Sequence, residues 1–193
     1  MNGVNRRMLE KGAQQAAGAS VSVIRTARLV LRQLELSDAR FILELLNDAG
    51  FLRFIGDKGV RTLADAREYI LKGPIDSYVR HGFGLYAACL RDGTPIGICG
   101  LVKRDGLADA DVGFAFLSRY TAKGYAVEAA GAVLAHAHRQ LQIRRVVAIT
   151  APDNFRSIAV LEKIGLTFER RVRLAYDSPE LNLYATPQAE NRP

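Results

Sequence analysis

The stretch most informative about chemistry is a strand that ends in a short turn and opens into a long helix. The turn carries Arg119, Ala122 and Gly124, and helical periodicity begins near Ala126. The first N–H groups of a helix have no partner inside the helix, and the helix dipole adds positive charge there, so anions bind well at this position. Small residues also let the backbone approach a ligand closely. The stretch therefore predicts a phosphate or pyrophosphate site.

Two better-known phosphate-binding patterns are absent. Neither the dinucleotide pattern GxGxxG nor the P-loop pattern GxxxxGK[ST] occurs at this turn. A left-handed turn that precedes a core helix and binds no ligand would contain the same residue types. The residues alone therefore leave open both a phosphate site and a structural turn.

Basic residues are concentrated in one part of the chain. The net charge is +7, and residues 138–173 hold eight arginine or lysine residues against three acidic ones. Such a patch attracts anions, either a phosphorylated cofactor or nucleic acid. Scattered arginines are also typical of an ordinary solvated face. Nucleic-acid binding would weaken steeply with salt, and we do not expect nucleic acid to be the partner.

Composition and the remaining reactive side chains exclude several classes. The 193 residues are 49% hydrophobic, which is typical of a globular domain, and no apolar run reaches the roughly 20 residues of a membrane span. His136 and His138 lie two apart on a helix and point to different faces, so they cannot form a metal pair. The alternation around Cys89 and Cys99 predicts buried free thiols on opposite faces of a sheet. We expect a cytoplasmic protein without a metal site.

Hydrophobic periodicity predicts the elements that would position the turn. We expect a strand over 24–34, a helix after Ser37-Asp38, a helix over 63–81 interrupted at Gly73-Pro74, and a hairpin around Asp92-Gly93. The turn is preceded by a strand at 110–118. A buried strand at 146–150, a helix capped by Asn154 and ended by Gly165, and two last strands follow it. The result is one mixed α/β domain over 23–186, with a mobile tail at 1–22 and a short tail at 187–193.

A family resemblance covers most of this domain. The segment DVGFAFLSRYTAKGYAVEAA (111–130) resembles the acetyl-CoA signature of the GNAT N-acetyltransferases, whose turn reads Gln/Arg-x-x-Gly-x-Gly/Ala. Arg119 to Gly124 fits that pattern with Ala122 in place of the first glycine. The segments APDNFRSIAVLEKIGLTFE (151–169), TARLVLRQLELSDA and NLYA resemble the branch that acetylates ribosomal-protein N-termini and its small-molecule relatives.

The resemblance implies a GNAT acyltransferase fold, with flanking helices around a mostly antiparallel, seven-stranded sheet. The sheet is splayed between the strands at 110–117 and 145–150, and acetyl-CoA would lie in that splay. Ala122 adds a β-carbon, but alanine is compatible with helical φ and ψ angles, so we expect only a modest effect on affinity. The implied cofactor-binding residues are Ala115, Phe116, Leu117, Arg119, Tyr120, Thr121, Ala122, Lys123, Gly124, Tyr125, Ala126, Asn154 and Ser157.

Acetyl transfer to an amine also needs a proton donor for the thiolate and a base for the amine. Many GNAT enzymes use a tyrosine as the acid, but Leu161 occupies that position here. In the ribosomal branch a serine three residues after an asparagine takes this role, which implies Ser157, although a first-turn serine also commonly satisfies a backbone group. The candidate bases are Asp111 and, in the loop near Tyr176, Asp177 and Glu180. Each carboxylate also suits a solvated charge, and a water relay without a dedicated base is a further alternative.

The sequence therefore predicts an acetyl-CoA-dependent N-acetyltransferase whose acceptor is a primary amine, either a protein N-terminus or a small amine or amino acid. We expect a monomer or homodimer with no membrane partner. The alternative is a non-catalytic CoA-binding sensor or docking module, which the missing tyrosine and the unassigned base leave open.

Overall fold

One sheet of eight strands forms the centre of the molecule. The computed structural model describes residues 22–187, so the expected tails lie outside it apart from Ser22 and Pro187. The strands are β1 (Ser22–Arg25), β2 (Leu29–Arg32), β3 (Leu85–Leu90), β4 (Pro95–Val102), β5 (Ala110–Phe116), β6 (Val146–Thr150), β7 (Thr167–Val172) and β8 (Leu181–Ala185). Their spatial order is β1-β2-β3-β4-β5-β6-β8-β7. Every neighbouring pair is antiparallel except β5 and β6, which are parallel.

Six α-helices flank the sheet in the described part of the chain. They are α1 (Ala39–Leu46), α2 (Ala49–Phe54), α3 (Leu63–Ile70), α4 (Asp76–His81), α5 (Tyr125–Arg139) and α6 (Phe155–Lys163). A wider π-helical turn, Leu71–Ile75, joins α3 to α4 and contains Pro74. The expected interruption at Gly73-Pro74 is thus confirmed, because proline cannot donate to the helical ladder. Gly165 follows α6 with φ +89°, as predicted for a helix-ending glycine.

The mixed α/β class is confirmed, but the expectation of seven strands is wrong. The single strand predicted over 24–34 is a hairpin of β1 and β2, with Ile24 opposite Leu31. The alternation of apolar and polar residues runs on through the turn, which contains no Gly, Pro, Asn or Asp to reveal it. Thr26 closes the turn, since its hydroxyl accepts from the N–H of Leu29 at 2.9 Å.

The two faces of the sheet are covered by different helices. One face packs α5 and α6 against residues such as Leu31, Ile96 and Val112, while the other packs α1 and α3 against Ala87, Ile98 and Ala115. Cys99 belongs to the first cluster and Cys89 to the second. Both are buried free thiols, as predicted. The helix that follows the predicted phosphate-binding turn is α5, and it lies on the first of these two faces.

Candidate active site

The sheet opens between its two parallel strands. Pairing of β5 with β6 ends after Asp111 and Val147, whereas β5 stays paired with β4 as far as Phe116. The N–H of Leu117 donates to Ile96 of the β4 side at 3.0 Å. Alternation along β5 then directs the N–H and C=O groups of Phe116 and Phe114 into the opening. β5 therefore presents a free main-chain edge to the splay.

This register divides Ala115, Phe116 and Leu117, three of the residues that the resemblance implies for cofactor binding. Phe116 has its main-chain groups on the splay side. Ala115 has its groups on the β4 side, and both main-chain groups of Leu117 are occupied, because its carbonyl accepts from Tyr120 at 2.8 Å. The missed neighbour is Phe114, which a count of alternate residues along the strand could have found.

The turn after β5 supplies a run of free amides. A 3₁₀ turn, Ser118–Tyr120, comes first, and Gly124 with φ +80° precedes α5. Within α5 the first hydrogen bond joins the N–H of Glu128 to the carbonyl of Gly124. Among residues 22–187, no acceptor bonds the six consecutive N–H groups from Ala122 to Val127. The amides of Tyr120 and Thr121, two of the implied cofactor-binding residues, instead donate within the turn itself, and the free run extends to Val127, which was not among those residues.

The expectation that Ala122 has helical angles is wrong. Its φ is +59°, in the left-handed region that favours glycine. The chain accepts this strained conformation at the position where the family pattern has its first glycine. Gly124 adopts a similar positive φ without a β-carbon, so only one of the two left-handed residues carries strain.

The start of the turn is tied to the opposite face of the sheet. The Asp48 carboxylate, between α1 and α2, accepts from the N–H of Ser118 at 3.0 Å and from its hydroxyl at 2.5 Å. Burial pushes the pKa of Asp48 upward, but the hydrogen bonds from Ser118 and Gly50 outweigh that and hold it below its usual range. Arg119 pairs with Glu44 of α1. Its side chain is therefore engaged beside the turn.

At the start of α6 the serine and asparagine lie as the motif predicts. The Asn154 side-chain oxygen accepts from the N–H of Ser157 at 3.1 Å and caps the helix. Because Asn154 does the capping, the Ser157 hydroxyl is not needed for it, and no group in residues 22–187 hydrogen-bonds that hydroxyl. Leu161, one turn further on, is 1% exposed and packs in the core. Ser157 is thus the hydroxyl that this helix turn offers to a ligand.

Asp111 lies at the base of the splay. It is 1% exposed, pairs with Arg104, and accepts from the N–H of Ile149 on β6 at 3.3 Å. The alternation of strand β6 points this N–H toward β5, but β5 is no longer paired with β6 at this position. Burial raises the pKa of the Asp111 carboxyl, and Arg104 only partly offsets this. Each carboxylate oxygen already accepts from one protein donor, Arg104 or Ile149.

The remaining acidic candidates lie near the loop that joins β7 to β8. Glu180 pairs with Arg171 at 2.9 Å. Tyr176 is 95% exposed, and Asp177 helps to line an open cleft of about 830 Å³ with Arg173 and Ser178. The loop has a turn of its own, since Ala175 and Ser178 share three hydrogen bonds.

Several arginines of the basic segment are paired locally. Arg145 contacts Asp109 at 2.9 Å and Glu169 at 2.5 Å. These pairs reduce the free positive charge that a nucleic acid would meet. Over residues 22–187, no helix has the length and hydropathy to cross a bilayer, and no group of three metal-ligating side chains forms a cluster. The expected cytoplasmic location stays a prediction.

Comparison with known proteins gives a consistent set of relatives. A family model described as "Acetyltransferase (GNAT) domain" matches residues 28–167. The uncharacterized N-acetyltransferase YnaD of Bacillus subtilis is 31% identical over 147 residues, which cover 76% of this chain and 83% of YnaD. A GNAT-family acetyltransferase from Bacillus anthracis shares 27% identity with a TM-score of 0.69, covering 84% of this chain and 96% of that chain.

A more distant solved structure contains a CoA molecule. It is RimL, described as a ribosomal L7/L12 alpha-N-protein acetyltransferase in complex with coenzyme A. RimL is 21% identical, with a TM-score of 0.72, over 84% of this chain and 96% of the RimL chain. At this identity the similarity shows a common fold. The eight-stranded sheet with its splay is thus an arrangement found in acetyltransferases.

Proposed function

The chain belongs to the GNAT acetyltransferase family, and from this premise we propose that it transfers the acetyl group of acetyl-CoA to a primary amine. The acceptor is either a protein N-terminus or a small amine or amino acid. The observation that carries the proposal is the run of six free amides from Ala122 to Val127 at the start of a 15-residue helix. That run is suited to the pyrophosphate of the cofactor.

The residues of the splay fit the rest of the cofactor. The free edge of β5 at Phe114 and Phe116 can hydrogen-bond the amide groups of a pantetheine arm as an added strand would. Gly124 provides the left-handed turn, with φ +80°, that leads into the N-terminus of α5. Acetyl-CoA, when bound, supplies a thioester carbonyl that a neutral amine can attack.

The protein contributes placement and one proton. Main-chain N–H groups at the β5 edge are positioned to stabilise negative charge on a carbonyl oxygen in the splay. The Ser157 hydroxyl is the proton donor for the departing sulfur, because it is free and half-buried at the first turn of α6. We assign Asp111 a positioning role: its carboxylate bonds Ile149 where β5 no longer can. The amine then loses its proton to water, and a proton from water restores the Ser157 hydroxyl.

The family resemblance makes the loop at 173–180 a candidate source of the base, and both acceptor classes are compatible with this loop. Its cleft is open and contains both signs of charge, from Arg173 and Asp177. An open cleft accommodates a peptide N-terminus as well as a small molecule, so the reacting group, a primary amine, is the part of the acceptor that we propose.

A thiol-release assay with acetyl-CoA tests the proposal. It is run against N-terminal peptides, amino acids, polyamines and aminoglycosides, while calorimetry measures CoA binding in parallel. We expect turnover with one acceptor class and its loss in Ser157→Ala. CoA binding without turnover across the panel would favour the sensor alternative, and absence of CoA binding would contradict the proposal.

A further inference from the structure

The turn between β1 and β2 is bound to the start of α5. The Thr26 hydroxyl donates to the Glu128 carboxylate at 2.6 Å, and the N–H of Arg28 donates to the same oxygen at 2.8 Å. The Arg28 Nε donates to the other oxygen at 2.6 Å. Three donors from one hairpin turn thus hold a single carboxylate that lies 100 residues away in the chain.

That carboxylate is placed where it would oppose anion binding. Glu128 lies in the first turn of α5, directly after the run of free amides. A lone negative charge there would repel a phosphate at the same helix end. Burial pushes the pKa of Glu128 upward, but the hydrogen bonds from Thr26 and Arg28 outweigh this and hold it below the usual range, so the group is ionised. The Arg28 guanidinium neutralises it.

Arg28 also fixes the backbone of the turn. Its Nη1 donates to the carbonyl of Lys123 at 2.9 Å, and its guanidinium carbon lies 4.6 Å from the centre of the Tyr125 ring. Its Nη2 would lie 3.2 Å from a β-carbon at Gly124. The guanidinium therefore contacts Lys123, Gly124 and Tyr125 in succession, and these three residues bear half of the free amides.

We infer that Arg28 is a positioning residue for the phosphate-bearing part of the cofactor. By pairing Glu128 and holding the Lys123 carbonyl, it fixes the backbone that bears the free amides from Ala122 to Val127 and keeps the helix end electropositive. The ligand class is a phosphate diester or pyrophosphate, as in CoA. This inference rests on the proposed function, because it assigns the residue that prepares the proposed cofactor site.

The predicted effect is specific to the phosphate half of the cofactor. In Arg28→Gln, calorimetry is expected to show CoA binding weakened about 10- to 100-fold, since charge-assisted hydrogen bonds are lost and Glu128 is left unneutralised. Turnover with S-acetyl-pantetheine, a thioester without phosphate, should stay within about twofold of wild type. Arg28→Lys keeps the positive charge but lacks the planar guanidinium, so the CoA affinity of this variant should lie between those of wild type and Arg28→Gln.

Arg91→Gln is the matched control. Arg91 bonds the carbonyls of Thr26 and Ala27 in the same hairpin turn, so its loss perturbs the turn at a different point. Its CoA affinity should change less than about twofold.

Three outcomes would overturn the inference. Equal CoA affinity in Arg28→Gln and wild type would contradict it and leave the proposed function intact. An equal loss of turnover by Arg28→Gln with acetyl-CoA and with S-acetyl-pantetheine would show that Arg28 has a general structural role. Absence of CoA binding by the wild-type protein would contradict both the inference and the proposed function.

Discussion

The turn at 118–126 and the loop at 173–180 are held in different ways. Asp48 and Glu44 bind the start of the turn from 70 and 75 residues away, and Arg28 binds its end from 95 residues away. The loop has hydrogen bonds between its own residues Ala175 and Ser178, and its Tyr176 side chain is 95% exposed. The polar contacts of the turn therefore come from distant elements, whereas the loop has local hydrogen bonds and one core contact, at Leu174.

For the proposed site, the difference predicts which part is formed before a ligand binds. A segment cross-linked to distant elements costs little ordering entropy when a ligand binds, whereas a locally held loop can adapt to its ligand. We therefore expect cofactor affinity to depend on residues spread through the chain. Acceptor choice should depend on residues within the loop itself. Substitutions in the two segments can test this contrast.

The largest effect is expected at Ser157, which acts on the reacting sulfur. Ser157→Ala should lower kcat by about 10²- to 10⁴-fold, the usual contribution of a general acid, while the CoA dissociation constant stays within about twofold. Steady-state kinetics and calorimetry measure the two quantities. Ser178→Ala is the matched control, because it removes a loop hydroxyl without touching the proposed acid. A comparable loss of kcat in Ser178→Ala would contradict the assignment of Ser157 as the proton donor and favour a donor in the loop.

The next effect contrasts two carboxylates that each pair with an arginine. Glu128→Ala should lower the free energy of unfolding by about 2–3 kcal/mol and Tm by roughly 5–10 °C, since it removes three hydrogen bonds, two of them from Arg28. Glu180→Ala breaks the exposed pair with Arg171 and should change stability by about 0.5 kcal/mol or less. Thermal melts of both variants decide the contrast. Equal losses would show that the loop is as firmly held as the turn.

Asp111 and Glu128 should respond to pH with opposite signs. The pKa of Asp111 is raised above 3.8 in the folded protein, so the folded state holds the proton more tightly. Its stabilising contribution is present at low pH and is lost as the pH rises from 3.8 through the folded pKa. The pKa of Glu128 is lowered from 4.5, so its contribution is present above that value and is lost as the pH falls through the folded pKa.

Asp111→Asn measures the first of these. Asparagine can still accept from Ile149, but it does not titrate. Because wild type loses stability as Asp111 ionises, the stability of the variant relative to wild type should rise as the pH increases from about 4 to 7 in denaturant titrations. Its kcat should fall less than about tenfold. A loss of 10²-fold or more with a flattened pH–rate profile would instead make Asp111 the base.

The smallest effect concerns the two left-handed residues of the turn. Ala122→Gly relieves a β-carbon at φ +59° and should stabilise the protein by roughly 0.5–1 kcal/mol. Gly124→Ala introduces one at φ +80° against Arg28 and should destabilise it by about 1–2 kcal/mol. Chemical denaturation gives both values. Stabilisation by both variants, or by neither, would contradict the conformations assigned here.

Local patterns predicted the parts of the site that are local. The strand, turn and helix around Gly124 and the Asn154–Ser157 cap each lie within a few residues, so spacing and helix-end chemistry were sufficient. The pairing of Arg28 with Glu128 was missed because it joins residues 100 apart through tertiary packing. Asp111 was a candidate base from the sequence, but its burial and its bond to Ile149 depend on where β5 and β6 separate, which the pattern of either strand does not show.

Hydrogen exchange with and without CoA tests the central claim most directly. The account predicts slower exchange on CoA addition at the amides from Ala122 to Val127 and at Phe114 and Phe116, with little change over 173–180 until an acceptor is added. Protection confined to the 173–180 loop, or none at the turn despite bound CoA, would contradict it.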